Sequence, residues 1–303
     1  MTNKKHKTVS LVLGSGGARG LAHIGVIHEL QKADYEIKSI SGCSIGALVG
    51  GVFAAGRLHE FEQWVRAITK VDILALMDIS WGKNGLIKGD RIINTLVDLV
   101  GDKKIEDLPV SFTAVATDIT HEREVWLSSG PLFDAIRASM SLPLFFTPVK
   151  HGKGFLIDGG VLNPVPIAPT FRDKTDMTIA VHLGGRKDRD SVSKLEKAGK
   201  LKNPDNKSPM HEKIGKFISF LKSDEDGNKG KEKKLGSLGV ANQAFDTMQS
   251  TIARQKLAAY PPDATIEISR NICGTMDFDR AAEIIEIGAE ETRNFLSRLE
   301  GSA

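Results

Sequence analysis

The stretch Gly42-Cys43-Ser44-Ile45-Gly46 follows an apolar, strand-like run ending at Ile40 and opens a small-residue helical stretch, Ile45 to Ala55. Few sequence features restrict a fold so narrowly, because G-x-S-x-G between a strand and a helix has the form of a nucleophile elbow. Gly42 and Gly46 let the backbone turn sharply and leave Ser44 Oγ exposed above a sheet. The helix N-terminus beneath it favours developing negative charge. A glycine-rich strand–helix turn with no chemistry would read the same from these five residues, so the decision falls to the rest of the chain.

Strand-like runs recur at Thr8–Leu13, Glu36–Ile40, Phe112–Thr117, Phe155–Ile157 and Met177–Leu183. Helical patterns lie between several of them, at Ala22–Lys32, Ile45–Ala55, Leu58–Ile68, Asp90–Val100 and Leu132–Met140. Strands alternating with helices predict an α/β fold on a largely parallel sheet, with functional loops at the carboxyl ends of the strands. From Gly184 to Gly239 the character changes. Lys and Arg outnumber acids by 15 to 9 between Arg186 and Lys234, and Ser223–Lys234 holds no apolar residue. This region, 184–239, reads as a basic, partly mobile excursion from a core at 8–183. Two helical stripes follow within 240–303, one at Ala241, Phe245, Met248 and Ile252, the other from Ala281 to Leu299. Both are expected to pack on the main sheet.

A net charge of +3 over 303 residues is too small to argue for a nucleic-acid partner. Two cysteines, Cys43 and Cys273, give neither a disulfide framework nor metal-ligand spacing. No apolar stretch approaches the roughly 18 residues of a spanning helix. A soluble, cytoplasmic protein without metal or cofactor is expected, with oligomerisation left open.

Two further glycine motifs follow strands. The first is Gly14-Ser15-Gly16-Gly17-Ala18-Arg19-Gly20, whose successive N–H groups can converge into a nest for a phosphate or an oxyanion. A dinucleotide fingerprint competes, since Asp34 and Glu36 lie near the distance of a ribose-binding acid, although the spacing is G-x-G-x-x-x-G. The second is Leu156-Ile157-Asp158-Gly159-Gly160, an acid ending an apolar strand, which alone could be an ordinary Asp-Gly turn.

In this order and each after a strand, the nest, the serine elbow and Asp-Gly-Gly resemble the patatin-like phospholipases. Ala135-Ile-Arg-Ala-Ser-Met-Ser-Leu-Pro143 is similar to that family's RASxSxP segment, and Asn163-Pro164-Val165-Pro166 follows the acid as it does there. The run Gly16 to Val26 is similar to the bacterial form of the family's oxyanion loop, and the elbow and length are closest to the compact bacterial RssA-type members. Ser15 departs from the family, which often has glycine there. The resemblance implies a three-layer α/β/α sandwich and a two-residue catalytic unit, with Ser44 the nucleophile and Asp158 its general base. It also implies an oxyanion hole from the N–H groups of Gly16, Gly17 and Ala18, supported by Gly14, Arg19, Gly20, Gly159 and Gly160. The substrate would be a lipid or lysophospholipid ester, hydrolysed without a metal. The rival from another class is a ligand-binding regulatory protein on the same fold with little turnover.

Other residues carry weaker signals. A Ser-Asp-His triad would need His182 or His211, but His182 ends a core strand and His211 lies in the basic excursion. Cys43 reads as a small buried residue rather than a thiol nucleophile. Arg19 reads as structural, pairing with a carboxylate near the nest rather than meeting a lipid phosphate. Met210, Ile214, Phe217, Ile218 and Leu221 form a short amphipathic stripe flanked by Lys213, Lys216 and Lys222. Residues 210–222 are thus a candidate lid or peripheral contact with the inner membrane surface, with packing on the core as the alternative.

Overall fold

A computed structural model describes residues 7–76, 87–186 and 237–301. The amphipathic stripe at 210–222 and His211 lie outside them. Strands β1 (Lys7–Leu13), β2 (Tyr35–Cys43), β3 (Ser111–Asp118), β4 (Arg123–Leu127), β5 (Val149–His151), β6 (Gly154–Asp158), β7 (Met177–Gly185) and β8 (Ala264–Ser269) form one sheet. Its order is β5-β6-β3-β2-β1-β7-β8, with β4 also pairing β3. The pairs from β3 through β2, β1 and β7 to β8 are all parallel, and those involving β4, β5 and β6 are antiparallel. This is an α/β fold with a central, mostly parallel sheet flanked by helices.

Parallel strands are read as continuous apolar runs because both their faces are covered. In β1, Val9, Leu11 and Leu13 enter one core with α1 (Ala22–Lys32) and α2 (Ile45–Ala54). Val12 points the other way, onto Val165, Ile167 and Ala253. The remaining helices are α3 (Leu58–Ala67), α4 (Lys70–Leu76), α5 (Asp90–Val100), α6 (Leu132–Ser139), α7 (Ser237–Ala259) and α8 (Ala281–Glu300). Strands β4, β5 and β8 had no counterpart among the sequence-based expectations. β5 is three residues long, and β4 carries the mixed polarity of a strand with only one covered face.

The helix α7 lies against the sheet, with Ala253 and Leu257 packed on Val12 and Ala180, but it does not turn the expected row of residues inward. Its apolar stripe does not pack on the sheet: Met248 is 56% exposed and Phe245 and Ile252 are only half-buried. The row turned inward is Gln249, Ala253 and Lys256. The physical reason is the surface beneath it. Ala253 meets the apolar patch of Val12 and Ala180, while Gln249 and Lys256 reach Ser15 and Glu124, where an amide and an ammonium find partners that apolar side chains would not.

Candidate active site

Ser44 sits at the junction of β2 and α2 with φ 55° and ψ −127°. A non-glycine residue there stores about 1–3 kcal/mol of strain, and the surrounding contacts must hold it. Neither flanking glycine takes a positive φ; both are glycine because the backbones touch. A Cβ on Gly42 would stand 2.5 Å from Gly46 O, and one on Gly46 would stand 2.1 Å from Leu13 O. The first turn of α2 is thereby pressed onto the end of β1, and the sharp bend is carried by the serine itself.

The clamp on this bend is Ser139, at the end of α6. Its Oγ accepts a hydrogen bond from the Ser44 N–H at 3.0 Å and donates to Val115 O at 2.6 Å. Two residues on, Ser141 O accepts the Asp158 N–H at 2.9 Å. One short segment therefore holds both the serine and the acid. Arg137 fixes that segment in turn, donating to Lys88 O, Ser141 Oγ and both oxygens of Thr147. Ser139→Ala should strand the Ser44 N–H at a cost of about 1–3 kcal/mol. If the bend is used in catalysis, kcat should fall about 100-fold with KM little changed. Steady-state kinetics on a soluble ester checks this; an unchanged kcat would show the clamp to be dispensable.

Register on β3 explains how Asp158 reaches the serine. Val115 pairs with Cys43, immediately before Ser44, and the next residue, Ala116, pairs with Asp158. The acid is fully buried. Its Oδ1 accepts the Gly160 N–H at 2.7 Å, while Oδ2 has no hydrogen-bond partner among the described residues. Burial pushes its pKa up to about 6, against the opposing pull of the Ser44 hydroxyl and the Gly160 N–H. Ser44 therefore lies beside the carboxyl, although no hydrogen bond of ordinary geometry joins the two.

The loop from Gly14 to Gly20 is tied down along its length. Gly14 N–H donates to Val181 O at 3.1 Å, Ser15 N–H to Pro164 O at 2.9 Å and Ala18 N–H to Thr275 O at 2.9 Å. Ala18, expected among the nest donors, is therefore engaged elsewhere, because residue 275 docks against it from the far end of the chain. Gly16 and Gly17 N–H make no hydrogen bond among the described residues. Arg19 is structural, as its burial requires: its Nε donates to Gly16 O at 3.0 Å and Nη2 lies 3.6 Å from Asp246. In a trans peptide the carbonyl and the following N–H point oppositely, so this bond aims the Gly17 N–H away from Arg19. Gly17 has φ +57°, and a Cβ on Gly16 would meet Leu183 at 2.7 Å. His23, fully buried and with its pKa lowered to about 4 by burial, bonds through Nε2 to Gly14 O at 2.9 Å. It is a neutral loop support.

The other candidates separate cleanly. Asp34 and Glu36 lie at the start of β2, while the glycine loop follows the end of β1 parallel to it. They stand at the opposite end of the sheet from the loop, so neither can serve there as a ribose-binding acid. Cys43 is buried, contacts Pro164 O at 3.4 Å, and has its thiol pKa pushed well up by burial and by nearby Asp158. It is no thiolate nucleophile. His182 is nearly buried, and its pKa falls to about 4 through burial and the positive charges of Arg270, Arg19 and Arg254.

Two contacts at the site had no sequence signal beyond long-range proximity. Gln249 of α7 donates to Ser15 Oγ at 3.3 Å, and Glu124 of β4 accepts from Asn163 Nδ2 at 3.0 Å and Lys256 Nζ at 2.5 Å. Asn163 N–H in turn holds Gly159 O at 2.8 Å, so the acid turn is braced from two elements.

A family model described as patatin-like phospholipase matches residues 11–171. An uncharacterized NTE family protein of Mycobacterium tuberculosis is 37% identical over 319 aligned positions, covering 92% of this chain and 89% of its own. The lysophospholipase NTE1 of Kluyveromyces lactis is 28% identical over 97% of this chain but 19% of its own length. A neuropathy target esterase of Drosophila melanogaster is 33% identical over 60% of this chain and 13% of its own.

Proposed function

The chain belongs to the patatin-like phospholipase family, and from that premise we propose that it is a serine acyl hydrolase acting on carboxylic esters of lipids. The activity would be of phospholipase or lysophospholipase A type. The family is one of lipid hydrolases, with relatives named esterase and lysophospholipase. The finer reading rests above all on one observation: a fully buried carboxyl with its pKa raised to about 6 beside a strained serine.

Ser44 Oγ attacks the acyl carbonyl as its proton passes to Asp158. The oxyanion is held by the Gly16 and Gly17 N–H groups, each worth on the order of 3 kcal/mol in the transition state. Asp158 returns the proton to the leaving alcohol, and the acyl group stays on Ser44. Water then loses a proton to Asp158 and attacks the acyl-enzyme, releasing the acid and restoring Ser44. An ordinary aspartate, near 3.9, is a weak base for this; burial brings it closer to the working pH.

Fluorophosphonate labelling tests the reading directly. Wild-type protein should be labelled at Ser44 and should hydrolyse a lipid extract, read by mass spectrometry against a Ser44→Ala blank. An unlabelled Ser44 with no product would leave a ligand-binding protein instead. His182→Ala should keep most activity, since burial and three nearby arginines hold its pKa at about 4 and leave the imidazole a weak base; loss of activity in a folded variant would restore a triad. Gly17→Ala puts a side chain at φ +57° and 2.6 Å from Thr275 O. It should lower kcat by about 100-fold or more and change KM little, whereas a pure KM effect would make the loop a binding element only.

A further inference from the structure

The sheet does not end at the serine. β3 continues from Val115, the partner of Cys43, for three more residues to Asp118. At about 3.3 Å per residue it projects roughly 10 Å beyond the start of the elbow. β6 begins at this tip, and the β3–β4 and β5–β6 turns make its rim. Three side chains lie in one row across the strands. Lys150 pairs directly with Phe155, and Ile119 N–H donates to Phe155 O at 3.0 Å. Phe155 is 48% exposed and Ile119 54%. Trp126, 49% exposed, pairs with Val115, which by strand alternation faces the same side as Ile119. Single exposed apolar side chains are ordinary, but neighbours sharing one sheet face at a functional edge are not.

The charges around this row are mostly basic. Lys150, His151 and Lys153 are exposed on the β5–β6 turn, and Lys150 and Lys153 have no carboxylate partner among the described residues. On the other turn Asp118 is buried and occupied, with His121 Nδ1 at 2.7 Å and Arg123 Nε at 3.8 Å, leaving Glu122 as the exposed acid. An aromatic ring and an aliphatic side chain flanked by unpaired ammonium groups suit the boundary between lipid headgroups and acyl chains.

We propose that this ledge docks the protein on a membrane surface carrying anionic phospholipid. Phe155 and Ile119 enter the headgroup boundary, Lys150 and Lys153 meet lipid phosphates, and the strand ends bearing Ser44 face the bilayer. The purpose of the docking rests on the hydrolase reading; its physical basis does not. The test is co-sedimentation of the full chain with phosphatidylcholine vesicles, with and without phosphatidylglycerol. Wild-type protein should bind only the anionic vesicles, and added salt should weaken binding. Lys150→Gln with Lys153→Gln should weaken it about 30-fold, from about 1 kcal/mol per lysine. Ile119→Ser with Phe155→Ser should also weaken it, at unchanged salt dependence. Both variants should keep the wild-type melting temperature and fluorophosphonate labelling of Ser44 without lipid. Absence of wild-type binding would overturn the proposal. So would wild-type affinity in both variants, which would place any contact elsewhere, residues 210–222 included. Ledge-dependent binding by a protein whose Ser44 is unreactive would uphold the docking and overturn the hydrolase reading.

Discussion

Asp158→Asn should abolish ester hydrolysis, by at least about 1,000-fold, and at pH 8 should make the protein more stable by up to about 3 kcal/mol. Both effects have one cause. The carboxyl is fully buried and its pKa is raised from 3.8 to about 6, chiefly by desolvation. Below pH 4 it is protonated in the folded and unfolded states alike, and it does not affect their balance. Between about 4 and 6 the folded state holds a proton that the unfolded chain has lost, so stability falls as pH rises. Above 6 the charge is present and buried, and the full difference of about two units is felt. Asparagine carries no charge at any pH, and its Oδ1 can still accept the Gly160 N–H. Urea melts of both proteins at pH 4 and pH 8 check the sign: the gap should open only at the higher pH. An asparagine variant less stable than wild type at pH 8 would contradict the account. By the same ionisation, kcat/KM of the wild type should rise with pH through about 6 as the base becomes available.

A second large effect is expected far from the serine. α1 and α8 cross at two glycines: a Cβ on Gly25 would lie 2.0 Å from Ile285 O, and one on Gly288 would lie 2.0 Å from Ala22 O. These are collisions with backbone, which no rotamer change relieves. Gly288→Val should destabilise by about 4 kcal/mol or more, placing it in the overpacking tail of single substitutions. For a chain of this size that corresponds to a fall of roughly 6 °C or more in Tm. α1 also carries His23, which holds Gly14 O, so any folded fraction should lose activity as the glycine loop shifts. Scanning calorimetry decides it; a Tm within a degree or two of wild type would mean the helices can separate at little cost.

The main elements of the sheet and the three glycine motifs were legible in the chain because their causes are local. Leu11 and Leu13 alternate with Val12 to cover two faces; Gly42 and Gly46 admit a close turn; Asp158 ends an apolar strand. Such patterns need only neighbours within one strand or one turn. What the sequence left open depended on groups distant along the chain. The distance of Asp34 and Glu36 from the glycine loop left a dinucleotide reading alive, against the glycine spacing, until strand direction put both acids at the opposite end of the sheet. Ala18 looked equivalent to Gly16 and Gly17, yet Thr275 claims its N–H. The stripe of α7 looked like a core face, but the row turned inward is Gln249, Ala253 and Lys256, which meets Ser15, the Val12 patch and Glu124. Ser139 was visible only as part of a motif, without its task of holding the Ser44 N–H. The sequence by itself thus determined which residues form the strands, the elbow and the acid turn. Tertiary structure alone decided which N–H groups stay free and how far the pKa of Asp158 rises. A hydrogen-bond partner across the fold leaves no periodicity in the chain, and desolvation is summed over every atom packed around the carboxyl.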